Sequence, residues 1–151
     1  MRSLYKNERG GIVFWMCLMP FLVSAIALII YGGTAYSSKA ICRSKLENAL
    51  LNAVVLSRPT AATINSGVAR PYFDQYLQKN LNLNADNTPK TNSLATGTVI
   101  VVQYYTINTT VPVVDPLTGE TVRKPSLEAQ ISVPVMGGYT INVVSRVSVA
   151  P

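Results

Sequence analysis

Side chains that commonly carry catalysis are scarce in this chain. No histidine occurs among its 151 residues, so the commonest general base and every triad that depends on imidazole are absent. No Walker-type phosphate-binding loop occurs, and Gly10-Gly11 borders an apolar run instead of following a strand. We therefore expect a protein that is not an enzyme, with no catalytic, cofactor-binding or metal-binding residues and no cofactor.

The remaining metal-ligating side chains are poorly spaced for a metal site. Cys17 and Cys42 would lie about 37 Å apart on one continuous helix, so they form neither a disulfide with each other nor a zinc site. Asp115 and Glu120 share one predicted turn, without the regularly spaced oxygen ligands of a calcium loop. We expect both carboxylates to be solvated turn charges.

An uninterrupted apolar segment lies near the start of the chain. Residues 11–33, GIVFWMCLMPFLVSAIALIIYGG, contain no charged side chain, and a hydrocarbon layer of about 30 Å needs about 20 apolar residues in helical form. A cleavable secretory signal has a shorter apolar centre of about 7 to 15 residues. Residues 11–33 are therefore predicted to be an uncleaved transmembrane helix in a lipid bilayer.

Basic residues are concentrated around that segment. The formal net charge is +6, but from residue 46 onward seven basic residues face six acidic ones. Binding to nucleic acid requires clustered cations that displace counterions from phosphates, and this part of the chain has only one adjacent basic pair, Arg123-Lys124. We therefore expect no nucleic-acid partner. Six of the 13 basic residues lie beside the span: Arg2, Lys6, Arg9, Lys39, Arg43 and Lys45.

The orientation of the span follows from the length of its flanks. Three basic residues precede the span and three follow it, so the positive-inside rule gives a tie. The ten residues before the span are too few to fold, whereas the longer remainder is polar and typical of an exported domain. We predict that residues 1–10 are a basic cytoplasmic leader and that the larger domain lies outside the cytoplasm.

Two features of the span affect how it packs. Pro20 removes one backbone hydrogen bond and is predicted to kink the helix. Gly32 and Gly33 mark a candidate bend at the membrane interface. Small residues allow other helices to approach closely, and the candidate membrane-helix packing positions are Ser24, Ala25, Ala27, Gly32 and Gly33.

An apolar stripe continues beyond the span in residues 34–57. Its side chains recur at the i, i+3, i+4 and i+7 spacing of one helical face, and Arg58-Pro59 ends the predicted helix. Packing against the protein's own domain and packing against other helices of an assembly explain the stripe equally well. On the second interpretation the candidate partner contacts are Leu46, Leu50 and Ala53.

A second, shorter helix is predicted in VARPYFDQYLQKNLNL (68–83). Pro71 suits a first helical turn, and an apolar face includes Phe73 and Leu77. Tyr72 and Tyr76 lie on the same face and are two further candidate partner contacts. Residues 84–97 are polar and contain proline and glycine, so they are predicted to be a loop.

The rest of the chain has the composition of β-strands. Residues 126–136 alternate between apolar side chains such as Ile131 on a buried face and polar ones such as Glu128 on a solvated face. Residues 115–125 are predicted to connect two strands as a hairpin, and Gly137-Gly138 forms the last turn. We expect an antiparallel meander of three or four strands packed on the helices. The predicted strands are 98–108, 109–114, 126–136 and 138–150.

These elements predict an α+β fold. It comprises a long N-terminal helix that begins in the membrane and continues outside it, one short helix, and an antiparallel sheet of three to four strands. The predicted parts are a leader (1–10), a transmembrane helix (11–33), a helical extension (34–57) and a small extracytoplasmic αβ domain (58–151).

Several segments are distinctive together: NERGG (7–11), MPFL (19–22), YGGTAYSSKAICRSKLENALLNAVVLS (31–57) and the YF pair of the second helix. They resemble the N-terminal half of TadE/TadG-like proteins of bacterial tight-adherence (Flp-type) pilus systems, and INVVSRVSVA (141–150) resembles the end of their domains. The resemblance implies a pilin-like fold in a minor pilin or pseudopilin-like assembly factor of the bacterial inner membrane. Its N-terminus would be cytoplasmic and its domain periplasmic. The implied partners are pilus subunits or other pilus-assembly proteins, in a homo- or hetero-oligomer that serves cell adhesion.

The resemblance also raises the question of leader cleavage. TadE-type members resemble type IV prepilins, which are cut after a glycine and carry a glutamate at the fifth position of the mature chain. Gly10 and Gly11 are therefore possible cleavage residues, but the fifth position would be Trp15 or Met16, and the span has no acidic residue. The unprocessed, TadG-like form is favoured. Two alternatives stay open: a structural pilin that enters an extracellular filament after cleavage, and a single-pass membrane-tethered binding module.

Overall fold

The structure is a computed structural model that describes residues 4–60, 63–108, 112–135 and 137–149, with side chains described from Gly11 onward. The helices are α1 (Leu4–Leu56) and α2 (Ser66–Leu81). The strands are β1 (Ile100–Ile107), β2 (Val113–Val114), β3 (Thr121–Val122), β4 (Ser126–Val135) and β5 (Tyr139–Ser148). The predicted α+β fold, with a long apolar N-terminal helix, one further helix and an antiparallel sheet, is confirmed.

The chain forms two compact units, Met1–Ser37 and Ser38–Pro151. In its described part the first unit consists of the first portion of α1. The second unit contains the rest of α1, together with α2 and the strands. The predicted domain begins at residue 58, whereas the folded unit begins at Ser38, because about five turns of α1 contribute side chains to its core.

Local interactions define the helix ends. Arg58 adopts a positive φ of 48° directly before Pro59, and α1 ends two residues earlier, close to the predicted end. Asn65 caps α2, since its side-chain oxygen accepts a hydrogen bond from the Gly67 N–H at 3.0 Å. Because α2 begins at Ser66, Pro71 lies in its second turn and not in the first.

The main sheet has three strands in the order β1-β4-β5, and both pairings are antiparallel. The tight turn between β4 and β5 uses positive φ angles at Gly137 (100°) and Gly138 (77°), which glycine adopts without a Cβ clash. Strands β2 and β3 form a separate two-stranded hairpin in the connection between β1 and β4. Of the predicted strand 109–114, only Val113–Val114 is a described strand, and residues 109–111, 136 and 150 lie outside the described residues.

The core lies between the helices and one face of the main sheet. Phe73 on α2 packs on Tyr104 of β1, with 5.0 Å between the ring centroids. The two helices are joined by reciprocal bonds, since the Asn80 amide donates to the Lys45 carbonyl oxygen at 3.1 Å and the Lys45 ammonium donates to the Asn80 carbonyl oxygen. Cys42 is buried in this core, Cys17 is exposed on the first unit, and both are free thiols, as expected from their separation.

Candidate functional site

The first portion of α1 has an exposed apolar surface. Among the described residues, α1 is the one helix that is long and apolar enough to cross a membrane. No residue in the most apolar stretch of this helix is buried. Met16 and Leu28, for example, are 72% and 75% exposed. An apolar surface of this extent is unfavourable in water and favourable in hydrocarbon. The helix therefore fits a single-pass membrane anchor.

Pro20 lies inside α1, and the helix continues on both sides of it. Its missing N–H leaves the Met16 carbonyl without the usual helical donor. The Ser24 hydroxyl donates to the Pro20 carbonyl oxygen at 2.7 Å. Pro20 also lines an apolar cleft together with Trp15 and Val23. The kink at Pro20 stays a prediction.

The small residues of the span offer positions for close helix contact. A Cβ added at Gly32 or Gly33 would meet no atom within 4 Å, so a neighbouring helix has room to approach there. Packing at these glycines and at Ser24, Ala25 and Ala27 stays a prediction, as does a bend at Gly32-Gly33. Gly10 and Gly11 both lie within α1, and cleavage beside either of them is likewise a prediction.

The apolar stripe of α1 belongs to the protein's own core. Leu46, Leu50 and Ala53 each have 0% of their surface exposed and pack in one cluster with α2 and the main sheet. These three side chains are therefore not available to a partner in the folded unit, and their assignment as partner contacts is corrected. Tyr72 and Tyr76 are half-buried against the same core, so each has some surface left for a partner and both stay predictions.

A different face of α1 is exposed within the second unit. Leu51 is 49% exposed and Val55 is 62% exposed, and residues four apart are neighbours on a helix surface. We call these two residues the outer pair. The analysis of the sequence followed only the stronger stripe and missed the outer pair, although its i, i+4 spacing was visible in the sequence.

Charged residues meet on the face of the main sheet opposite the helices. Glu128 on β4 is paired in register with Arg146 on β5 and with Tyr105 on β1, and paired residues project from the same face. The turn of the β2–β3 hairpin adds two carboxylates: Arg146 Nη1 donates to Asp115 Oδ2 at 2.7 Å, and Nη2 donates to Glu120 Oε2 at 2.6 Å. We call Asp115, Glu120, Glu128 and Arg146 the Arg146 cluster.

Asp115 is the buried carboxylate of the hairpin turn. Only 1% of its surface is exposed. Its Oδ1 accepts the Leu117 N–H at 2.8 Å, and its Oδ2 accepts the Thr118 hydroxyl at 2.6 Å. Burial alone would raise the pKa of Asp115, but the neighbouring Glu128 carboxyl and the hydrogen bonds from Thr118 and backbone N–H groups together hold it well below its usual range. The prediction of a solvated turn charge is wrong for Asp115, whereas Glu120 is mostly exposed.

Glu128 is fully buried, with 0% of its surface exposed, so its assignment to a solvated face is wrong. Burial and the nearby Asp115 carboxylate raise the pKa of Glu128 to about 8, against a smaller opposite effect of Arg146. The raised pKa favours the protonated Glu128 carboxyl at neutral pH, and in that form it can donate a hydrogen bond to the Asp115 carboxylate. Among the described residues, neither carboxyl oxygen of Glu128 has a hydrogen-bond partner, so a proton on Glu128 avoids a buried and unpaired charge.

The Arg146 cluster places two buried carboxyl groups, those of Asp115 and Glu128, beside one arginine. Arg146 balances the charge of Asp115 on one side and reaches Glu120 on the other. Within the described residues, no group of three or more His, Cys, Asp and Glu side chains is placed to hold a metal ion. The chemistry that this arrangement supports is a change of protonation coupled to the contact between the hairpin and the sheet.

We compared the chain with family models, curated proteins and solved structures, and no family model, curated protein or solved structure matches it.

Proposed function

We propose that this protein is a membrane-anchored minor pilin or pilus-assembly factor of a bacterial Tad/Flp-type pilus. The observation that carries the proposal is that one helix, α1, supplies both an exposed apolar span and part of the core of an αβ unit. This arrangement fits a small domain that is retained at a membrane. The resemblance to TadE/TadG-like proteins, which covers about the first 80 residues, supports the assignment to a pilus. In this proposal the N-terminus is cytoplasmic and the domain is periplasmic.

The proposed mechanism uses contacts between proteins. Residues 11–33 retain the chain in the bilayer, and the small residues at Ala25, Ala27 and Gly32 admit helices of pilus subunits or other assembly proteins. Outside the membrane, the exposed outer pair of α1 is the apolar contact surface that we favour over the buried stripe. Tyr72 and Tyr76 add half-exposed aromatic surface, and aromatic residues are enriched in protein interfaces.

Site-specific photocrosslinking tests this contact. A photoreactive amino acid at Leu51 or Val55 in the full-length protein is expected to form adducts that mass spectrometry identifies as pilus subunits or pilus-assembly proteins. The same probe at Thr91, which is exposed on the loop after α2, is the matched control and is expected to give none. Adducts absent from Leu51 and Val55, or equal at all three positions, would contradict the proposed contact surface.

A structural pilin, incorporated into a filament after leader cleavage, is the second candidate. It is favoured by Gly10-Gly11, which directly precedes the apolar run. Intact mass and N-terminal sequencing of the protein from native membranes separate the two. Retention of residues 1–10 supports the permanent anchor, and a chain that starts at Gly11 or Ile12 supports the filament subunit.

A further inference from the structure

The β2–β3 hairpin is attached to the main sheet chiefly through polar contacts. In the described part of the hairpin, residues 113–122, the buried side chains are Asp115 and Val122. Val113 and Val114 are 43% and 64% exposed, so β2 adds no side chain to the core. Neither Val122 nor Asp115 belongs to the hydrophobic cluster that joins the helices to the sheet. Among the described residues, the side-chain hydrogen bonds that join the hairpin to the main sheet are those from Arg146 to Asp115 and Glu120.

Glu128 lies where the hairpin meets the sheet. The charged and titratable groups that face it are Asp115 and Glu120 from the hairpin, Arg146 from β5 and Tyr105 from β1. Both of its carboxyl oxygens are buried without a hydrogen-bond partner among the described residues. With its proton, the Glu128 carboxyl is uncharged and can donate to Asp115, which links the hairpin to the sheet. Without it, two buried carboxylates share one arginine, whose second nitrogen is already bonded to Glu120. Like charges in a buried site repel strongly, and release of the hairpin returns Glu128 and Asp115 to water.

We propose that the β2–β3 hairpin is a proton-controlled latch: it is held on the main sheet when Glu128 carries a proton and is released when that proton is lost. Opening uncovers the polar face of the sheet around Glu128 and frees the Asp115 turn. The latch is a property of the folded αβ unit, and it does not depend on the proposed role in a pilus.

The direction of the effect follows from the linkage of proton binding to opening. The closed hairpin holds the Glu128 proton more tightly than the open one, so opening becomes more favourable as pH rises from the usual range of a glutamate toward 8. For a single proton, the opening equilibrium constant increases about tenfold per pH unit in that interval. Above it the constant levels off, because Glu128 is then ionised in both states.

Hydrogen exchange of the full-length protein in lipid nanodiscs, read by mass spectrometry for peptides covering residues 112–122, tests the latch. After correction for the intrinsic pH dependence of exchange, we expect at least tenfold faster exchange of these amides at pH 8.5 than at pH 5.5. The Gly119 N–H, which donates to the Asp115 carbonyl oxygen at 2.9 Å, is a suitable reporter. A released two-stranded hairpin is too small to protect its own amides.

Variants assign the effect to Glu128. Glu128→Gln imitates the protonated carboxyl, and Glu128→Leu is an apolar replacement of similar volume. Both are expected to remove the pH dependence, with protection at pH 8.5 close to that at pH 5.5. Glu47→Gln, which removes a carboxylate from an exposed position of α1, is the matched control and is expected to behave as the unaltered protein.

Three outcomes would overturn the latch. The first is equal protection of the hairpin at both pH values in the unaltered protein. The second is a pH dependence that persists in both Glu128→Gln and Glu128→Leu. The third is protection in the hairpin that equals the protection in β4, β5 and α2 at both pH values, because the hairpin would then exchange only when the whole unit unfolds.

Discussion

Arg146 on β5 donates a hydrogen bond from Nη1 to Asp115 Oδ2 across 2.7 Å. The Asp115 side chain is fully buried, and the Arg146 side chain is 25% exposed. The bond therefore joins a buried carboxylate in a turn to a cation on an edge strand of the main sheet. Its partners are 31 residues apart in sequence, so it fixes the hairpin by a long-range contact.

Loss of the Arg146 charge is expected to destabilise the αβ unit. Arg146→Gln leaves the carboxylate of Asp115 buried without its cation, and removal of one partner from a buried pair costs about 3–5 kcal/mol. Because Arg146 is partly solvated, we expect a smaller loss of about 2 kcal/mol in the free energy of unfolding. Urea unfolding of the full-length protein in detergent, followed by circular dichroism of the sheet, measures it.

The control for this prediction is Arg123→Gln, which removes a cation from an exposed position on the connection between β3 and β4. Exposed substitutions usually change stability by no more than about 0.5 kcal/mol. Equal losses in Arg146→Gln and Arg123→Gln would show that the pair with Asp115 does not stabilise the fold.

The free energy of unfolding is expected to fall as pH rises from about 5 to 8. The pKa of Glu128 is raised from 4.5 to about 8 in the folded protein, so its contribution is complete below 4.5 and is lost through that interval. The pKa of Asp115 is lowered in the folded protein, so its contribution to the free energy of unfolding is lost as pH falls and not as pH rises. Thermal unfolding measured at half-unit steps from pH 4.5 to 8.5 checks this. A midpoint temperature that stays constant or rises over the range would contradict it, and Glu128→Gln should flatten the profile.

Two neighbouring leucines of α1 are expected to differ sharply. Leu50 is fully buried and Leu51 is 49% exposed, so Leu50→Ala opens a cavity in the core and Leu51→Ala does not. We expect Leu50→Ala to lower the free energy of unfolding by about 2–5 kcal/mol and Leu51→Ala by less than about 1 kcal/mol. Chemical unfolding of both variants measures the difference. Similar losses in the two variants would contradict the packing of the Leu50 face of α1 against the core.

The cap of α2 gives a smaller and specific prediction. The side-chain oxygen of Asn65 accepts the Gly67 N–H at 3.0 Å, and replacement of such a cap by alanine costs about 1 kcal/mol. Asn65→Ala should show this loss in thermal unfolding, whereas Asn65→Asp keeps an acceptor and should show little change. A loss of the same size in both variants would exclude the capping bond as the cause.

The sequence predicted the features that depend on local patterns. An apolar run of residues 11–33 can be recognised by its length alone, because few soluble helices remain uncharged for so long. The alternation in residues 126–136 predicted that the apolar side chains of this strand, such as Ile131, face the core, and Leu127, Ile131 and Val133 of β4 are all fully buried. The Gly137-Gly138 turn was predicted because glycine is the residue that accepts its backbone angles.

The Arg146 cluster depends on contacts that a local pattern does not contain. Alternation assigned Glu128 to water because a charged side chain is seldom buried alone. Its burial depends on the raised pKa of its carboxyl beside Asp115, whose charge Arg146 balances. The pairing of Glu128 with Arg146 follows once the register of β4 and β5 is known, since each residue lies nine positions from Gly137. The contact of the β2–β3 turn with Arg146 does not follow from that register. The apolar stripe that includes Leu46 was ambiguous for the same reason. Packing against the protein's own domain and packing against other helices differ only in which surface covers the stripe, and a local pattern does not contain that surface.

Protease accessibility in intact spheroplasts of the native host tests the membrane anchor and its orientation most directly. The proposal predicts that added protease digests the unit that begins at Ser38 while a fragment containing residues 11–33 remains in the membrane pellet. Lysis before digestion should produce the same membrane fragment. If the whole chain stays intact until the membrane is broken, the domain is on the cytoplasmic side, and the proposed anchored pilus-assembly role is contradicted.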